Sequence, residues 1–150
     1  MDLESLFAGA DDEHLLFGLR RMIRSPRNDA QRTFCLACDA TEMLNGDGFE
    51  ILFEQTTSLE EYSAAYAKIG MPQVQPIFDR VLNLVPLDLR MPKNEEAEKV
   101  LFNHLQGLFD DLKDHASEFS DSTGDVLSKL ADYVRAHPAD FSEFLGLISS

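Results

Sequence analysis

The segment that decides the fold class is residues 58–86, SLEEYSAAYAKIGMPQVQPIFDRVLNLVP. Ser58 and Glu61 form a capping-box pattern, in which each side chain bonds to a backbone amide of the other residue. Apolar residues then recur every three or four positions up to Gly70, a residue that readily closes a helix. A second run with this period ends at Pro86. The segment therefore predicts two helices, whose apolar positions are Leu59, Tyr62, Ala65, Tyr66 and Ile69, then Val74, Ile77, Phe78, Val81, Leu82 and Val85.

The same period extends on both sides of this segment. Toward the N-terminus it predicts one helix that ends before Pro26 and another from about Asp29, interpreted as its N-cap, to Leu44. Toward the C-terminus it predicts one longer helix from about Asn94, which carries Leu112 and precedes a turn signal at residues 120–124, and then two shorter helices. No stretch shows sustained strand alternation. The sequence predicts an all-α fold, a single domain over residues 1–150 with seven or eight helices, the last of which carries Phe141, Phe144, Leu145 and Ile148.

The segment Asn45-Gly46-Asp47-Gly48 separates a predicted helix from an aromatic stretch. Asparagine and glycine tolerate positive φ, so we expect at least one of the two glycines to adopt it. The favoured interpretation is architectural. Asn45, Gly46 and Gly48 form a turn that directs Phe49 and Phe53 into the core. The alternative is a polar binding site around Asp47.

Net charge narrows the classes of partner. The 150 residues include 13 Lys and Arg against 27 Asp and Glu, which gives a net charge of −14. Such a surface repels nucleic acid and anionic membranes, because both attract net positive charge. The N-terminus is acidic, and no apolar run is long enough to cross a bilayer. We therefore expect a cytoplasmic protein with reduced cysteines.

The five bases among the first 35 residues are all arginines and lie close together: Arg20, Arg21, Arg24, Arg27 and Arg32. The favoured interpretation is that they pair with acids elsewhere in the same domain. The alternative is a patch for anion binding or self-association.

Catalytic and metal-binding patterns are weak in this sequence. Cys35 and Cys38 form a C-x-x-C pair, but inside a predicted helix two buried thiols are favoured over a redox site. No phosphate-binding glycine loop, nucleophile elbow or zinc pattern is present, so no cofactor and no metal are expected. One enzymatic alternative stays open, a dispersed metal-assisted site that uses Asp111 and His115.

Five acids cluster on a predicted helix near the C-terminus. Asp110, Asp114 and Glu118 recur every fourth residue, which lines them along one face about 6 Å apart. Like charges at this spacing weaken a helix, so helix formation does not explain them. They are either a solvated face or a row of carboxylates for a basic partner, with a spacing of the order of that between nucleic-acid phosphates. The candidate partner-binding residues are Asp110, Asp111, Asp114, Glu118 and Asp121.

Several of these stretches together resemble a bacterial all-α family of unknown function that is typified by an acidic DNA-mimic protein. The resemblance rests on Met43-Leu-Asn-Gly-Asp-Gly-Phe49, on the helix ending in Ile69-Gly70, and on Leu108-Phe-Asp-Asp-Leu112, and it covers about residues 30–145. The chain differs from the family pattern by one extra residue, Asp47, and by Ile51 where a glutamine is expected. The resemblance implies an acidic helical protein that binds another protein, with DNA-binding proteins as candidates.

The predicted function is therefore that of a non-enzymatic acidic interaction protein, a DNA mimic that presents carboxylates to a basic regulator. It is not expected to bind nucleic acid or membranes directly. Besides the dispersed enzyme, one further alternative stays open. This is an immunity- or antitoxin-like protein that neutralises a basic toxin by the same electrostatic mechanism.

Overall fold

Caps and helix-breaking residues divide the chain into short helices. The computed structural model describes residues 11–144, which contain no strand, so the all-α prediction is confirmed. Short 3₁₀ turns at Pro72–Val74, Leu87–Leu89 and Pro138–Phe144 join or follow the α-helices. The α-helices of the described residues are α1 Asp12–Met22, α2 Asp29–Gly46, α3 Phe49–Phe53, α4 Leu59–Lys68, α5 Gln75–Asn83, α6 Glu95–Gly107, α7 Phe109–Ser122 and α8 Val126–Ala136.

Polar side chains cap the N-termini of four of these helices, α1, α2, α4 and α6. The capping box is confirmed, because Ser58 Oγ accepts from the Glu61 amide at 3.3 Å and Glu61 Oε2 accepts from the Ser58 amide at 3.2 Å. Gly70 ends the same helix at a φ of +90°. The predicted cap of α2 is wrong by one residue. Asn28 caps it, accepting from the Gln31 amide at 2.8 Å, and Asp29 belongs to the first turn.

The prediction of one continuous helix from Asn94 through Leu112 is wrong, because this segment forms two helices. The structure ends α6 at Gly107 and starts α7 at Phe109, because Leu108 leaves the helical region with φ −104° and ψ 11°. Glycine is a weak helix former, which favours an end at Gly107. The hydrophobic period does not reveal this break, since Leu105 and Leu112 both lie in the core with Leu108 packed against it.

The last predicted helix is also corrected. Phe141 lies in the 3₁₀ segment Pro138–Phe144 and is fully buried, with its ring edge-on to Phe34 at 5.8 Å. Leu145 and Ile148 lie outside the described residues.

Helix α2 runs through the middle of the fold and contacts α3, α4, α7 and α8. An aromatic cluster lies beside it, in which Phe49, Tyr66, Phe78 and Phe119 have ring centroids 5.4–6.4 Å apart. The Tyr66 hydroxyl donates to the Ala37 carbonyl at 3.2 Å, which joins α4 to α2. Phe119 lies on α7, and the burial of its ring in this cluster determines which face of α7 is exposed to solvent.

Candidate functional site

Helix α7 carries all five predicted acids, and two apolar residues set its orientation. Leu112 and Phe119 are fully buried in the core, and Phe119 belongs to the aromatic cluster. At 100° per residue, Asp110, Asp114 and Asp121 fall within about 40° of one another on the opposite side of the helix. All three are exposed. We call these three residues the α7 acidic face.

The third member of the predicted row Asp110–Asp114–Glu118 differs from the other two, because it has an ion-pair partner. Glu118 lies on the flank of α7, where its Oε1 accepts from Arg80 Nη2 at 2.5 Å. Its other oxygen is 3.8 Å from His115 Nδ1. Since α7 has 3.6 residues per turn, Asp121 continues the row better than Glu118 does, although it is eleven residues from Asp110. Asp111 is exposed on the same flank as Glu118.

The break at Leu108 changes the explanation of the first two acids. Asp110 and Asp111 lie in the first turn of α7, where the helix dipole favours negative charge. Asp114 lies in the middle of the helix, and Asp121 lies in its last turn, where the dipole disfavours an acid. That last turn contains no base. Local helix stability therefore accounts for Asp110 and Asp111, but not for Asp114 or Asp121.

Within residues 11–144, no ion pair or side-chain hydrogen bond links any acid of the α7 acidic face to a base. Lys113, also exposed, lies between Asp110 and Asp114 along the chain. Among the described residues, the carboxylates of this face are therefore exposed and have no ion-pair partner.

Within the part of the chain that the structure describes, three of the arginines near the N-terminus form ion pairs, unlike the acids of the α7 acidic face. Arg20 pairs with Asp39, Arg27 with Glu143 at 3.1 Å, and Arg32 with Glu61 at 3.3 Å. The structure thus supports internal pairing for these three arginines. Arg21 and Arg24 are exposed.

Cys35 and Cys38 lie on α2, beside the ion pair that Arg20 of α1 forms with Asp39 of α2. Cys35 is buried and Cys38 is half-buried, and both are free thiols. Burial is the main cause that raises the pKa of Cys35 to about 11, and burial also raises the pKa of Cys38. Burial likewise raises the pKa of Asp39, although Arg20 opposes the shift. Thiols with raised pKa values are poor nucleophiles at neutral pH.

The predicted turn is confirmed in part. Gly48 adopts a φ of +82°, and Phe49 and Phe53 are buried. The assignment of Asn45 and Gly46 to the turn is wrong, because α2 continues through both of them. The Asn45 side chain instead accepts a hydrogen bond from Ser120 Oγ at 3.2 Å. Asn45 therefore joins the end of α2 to α7.

A cleft that the sequence analysis did not predict lies between α6 and residues 50–56. It has a volume of about 910 Å³ and an apolar floor of Phe53, Leu101 and Leu105. Four glutamates and one lysine also line it: Glu50, Glu54, Glu95, Glu98 and Lys99. Glu95 and Glu98 lie in the first turn of α6, where the helix dipole also favours negative charge. We call it the α6 cleft.

A smaller groove of about 490 Å³ lies next to the α6 cleft, and Glu50 lines both of them. It lies between the end of α2 and α7 and contains Asp47 and Asp121. Phe109, at its edge, is exposed. The α7 acidic face thus borders a grooved surface.

The described residues contain no group of three or more His, Cys, Asp or Glu placed to hold a metal ion. His115, one member of the alternative metal-assisted site, is oriented toward Glu118. Within residues 11–144, no helix is both long and apolar enough to span a bilayer.

Comparison with known proteins identifies a protein family. No curated protein and no solved structure matches this chain. The family of DMP19-like proteins matches residues 26–137, which include α2 to α8, the aromatic cluster, the α7 acidic face and the α6 cleft. That range is most of the chain, and the chain therefore belongs to the DMP19-like protein family.

Proposed function

We propose that this chain is a non-enzymatic DNA mimic, which presents the α7 acidic face to a basic, DNA-binding partner protein. The observation that carries the proposal is the exposure of Asp114 and Asp121 without local neutralisation, at positions where helix stability does not account for them. The family name, in which DMP19 denotes DNA mimic protein 19, is compatible with this role.

The geometry of the face suits a basic surface that binds phosphates. Asp110 and Asp114 are about 6 Å apart along the helix axis, and Asp121 lies about 10 Å further. Every second phosphate along one DNA strand is about 7 Å apart. The separation of Asp110 and Asp114 is close to that distance, so these carboxylates can occupy the lysines and arginines that a DNA-binding protein uses for backbone contacts.

The net charge of the whole chain also favours association with a basic partner protein. The net charge of −14 attracts a basic protein over distance and excludes DNA from the complex. The free thiols Cys35 and Cys38 are compatible with a reducing, cytoplasmic setting.

Competition with DNA tests the proposal. The purified protein is immobilised and incubated with cell lysate at low salt, and bound proteins are then eluted with duplex DNA or with the same volume of buffer. A DNA mimic and DNA bind the same surface of the partner protein and therefore compete for it. We expect the duplex to release DNA-binding proteins that buffer alone leaves bound. Retention of all captured proteins in excess duplex would contradict mimicry.

A further inference from the structure

The α6 cleft combines an apolar floor with a half-exposed apolar rim. Phe53, Leu101 and Leu105 form the floor and are nearly inaccessible to solvent. Phe102 and Met91 line the same cleft, yet 54% and 48% of their respective surfaces remain exposed. Leaving large apolar side chains in water is unfavourable, and apolar surface concentrated at a cleft is typical of a binding site.

Carboxylates line both sides of this cleft. Glu50 and Glu54 come from the α3 side, and Glu95 and Glu98 come from α6. Among residues 11–144, none of these four carboxylates forms an ion pair with a base. Lys99 is the one base among the lining residues. An occupant must therefore be apolar on one side and positively charged on its flanks.

We propose that the α6 cleft receives a basic amphipathic helix of a partner protein. From Glu95 to Leu105, α6 extends about 15 Å, which equals about three turns of a helix lying along it. Such a helix covers Phe102 and Met91 with its apolar face and places lysines or arginines near the glutamates on both sides. This is the helix-in-groove mode of recognition. This inference rests on the proposed function, because the helix belongs to the same class of basic partner protein.

A defined peptide tests this proposal without knowledge of the natural partner. The probe is a fluorescein-labelled 14-residue peptide of leucine and lysine with helical periodicity, titrated with the full chain and followed by fluorescence anisotropy. A scrambled peptide of equal composition lacks the apolar face and serves as the peptide control. We expect the patterned peptide to bind at least about tenfold more tightly than the scrambled one, a difference of about 1.4 kcal/mol.

Variants locate the site of binding. Glu54→Gln/Glu95→Gln/Glu98→Gln removes charge from the cleft, and Phe102→Ala removes its rim. Each should weaken the patterned peptide about tenfold or more. The matched control Asp79→Asn/Asp88→Asn/Asp132→Asn removes three exposed carboxylates elsewhere and should leave the affinity unchanged. Because apolar burial is not screened by salt, part of the binding should persist at high ionic strength.

The proposal would be overturned by equal binding of the scrambled peptide, by equal weakening by the control variant, or by self-association of the chain that the cleft variants abolish. Such self-association would make a second copy the occupant. Asp110→Asn/Asp114→Asn/Asp121→Asn should retain peptide binding. A peptide that fails to bind, while lysate capture still depends on α7, would thus reject the cleft and leave the proposed function standing.

Discussion

The arginine-rich end of the molecule and the α7 acidic face organise their charges in opposite ways. At the first, Arg20, Arg27 and Arg32 each meet a carboxylate from a distant part of the chain. At the second, Asp110, Asp114 and Asp121 face solvent, and no base of the described residues neutralises them. A charge that the fold has already paired contributes to structure, whereas an exposed unpaired row remains available to another molecule.

The largest expected effect comes from the core that supports the α7 acidic face. Phe49→Ala removes a fully buried ring that lies edge-on to Phe78 and Phe119. We expect the free energy of unfolding to fall by about 3–5 kcal/mol because a cavity replaces the ring. Chemical denaturation measures the loss. A loss below about 1 kcal/mol would mean that Phe49 does not pack tightly in the cluster that supports α7.

Alkaline pH tests the buried thiols at the arginine-rich end. The pKa of Cys35 is raised from 9.0 to about 11, so the unfolded chain loses this proton at lower pH than the folded chain. The contribution of this thiol to stability should be constant below about pH 9 and fall by about 2 kcal/mol toward pH 11. Denaturation across this range, compared with Cys35→Ala, isolates that contribution. An equal decline in the variant would assign the effect to other groups.

Arg20→Met tests whether internal pairing stabilises the arginine-rich end. It leaves Asp39 partly buried without its guanidinium, and burial already raises the pKa of that carboxyl. Both side chains are about a third exposed, so we expect a loss of about 1–2 kcal/mol at neutral pH, less than for a fully buried pair. The loss should shrink as acid protonates Asp39. A loss independent of pH would indicate packing rather than charge.

The smallest effects separate acids within α7. Asp110 lies in the first turn and Asp121 in the last, so the helix dipole acts on them with opposite sign. Asp110→Asn should destabilise by about 0.3–1 kcal/mol, and Asp121→Asn should stabilise by about as much. Paired thermal melts measure both at equal net charge. Shifts of the same sign would show that the dipole does not explain Asp110.

Local patterns predicted the helices well, because caps and periodicity depend on residues close in sequence. Ser58, Gly70 and Phe49 fulfil the roles that their neighbours imply. The break at Leu108 was missed because Leu105, Leu108 and Leu112 keep their period across it.

The sites were harder to predict, because they depend on contacts between distant segments. The pairing of Glu118 with Arg80 joins residues 38 positions apart, and no local pattern reveals it. The α6 cleft likewise forms where residues 50–56 meet α6. Four of the five proposed partner-binding acids nevertheless lie on exposed surface, since the burial of Leu112 and Phe119 leaves them outside.

The most direct test of the central claim compares two variants of equal net charge in their capture of DNA-binding proteins from lysate at low salt. Asp110→Asn/Asp114→Asn/Asp121→Asn removes the α7 acidic face, and Asp79→Asn/Asp88→Asn/Asp132→Asn removes three exposed acids elsewhere. We expect the first to reduce capture about tenfold or more, equivalent to about 1.4 kcal/mol, and the second to leave it near that of the unaltered chain. Equal reduction by both variants would show that net charge alone attracts these proteins and would contradict a site on α7.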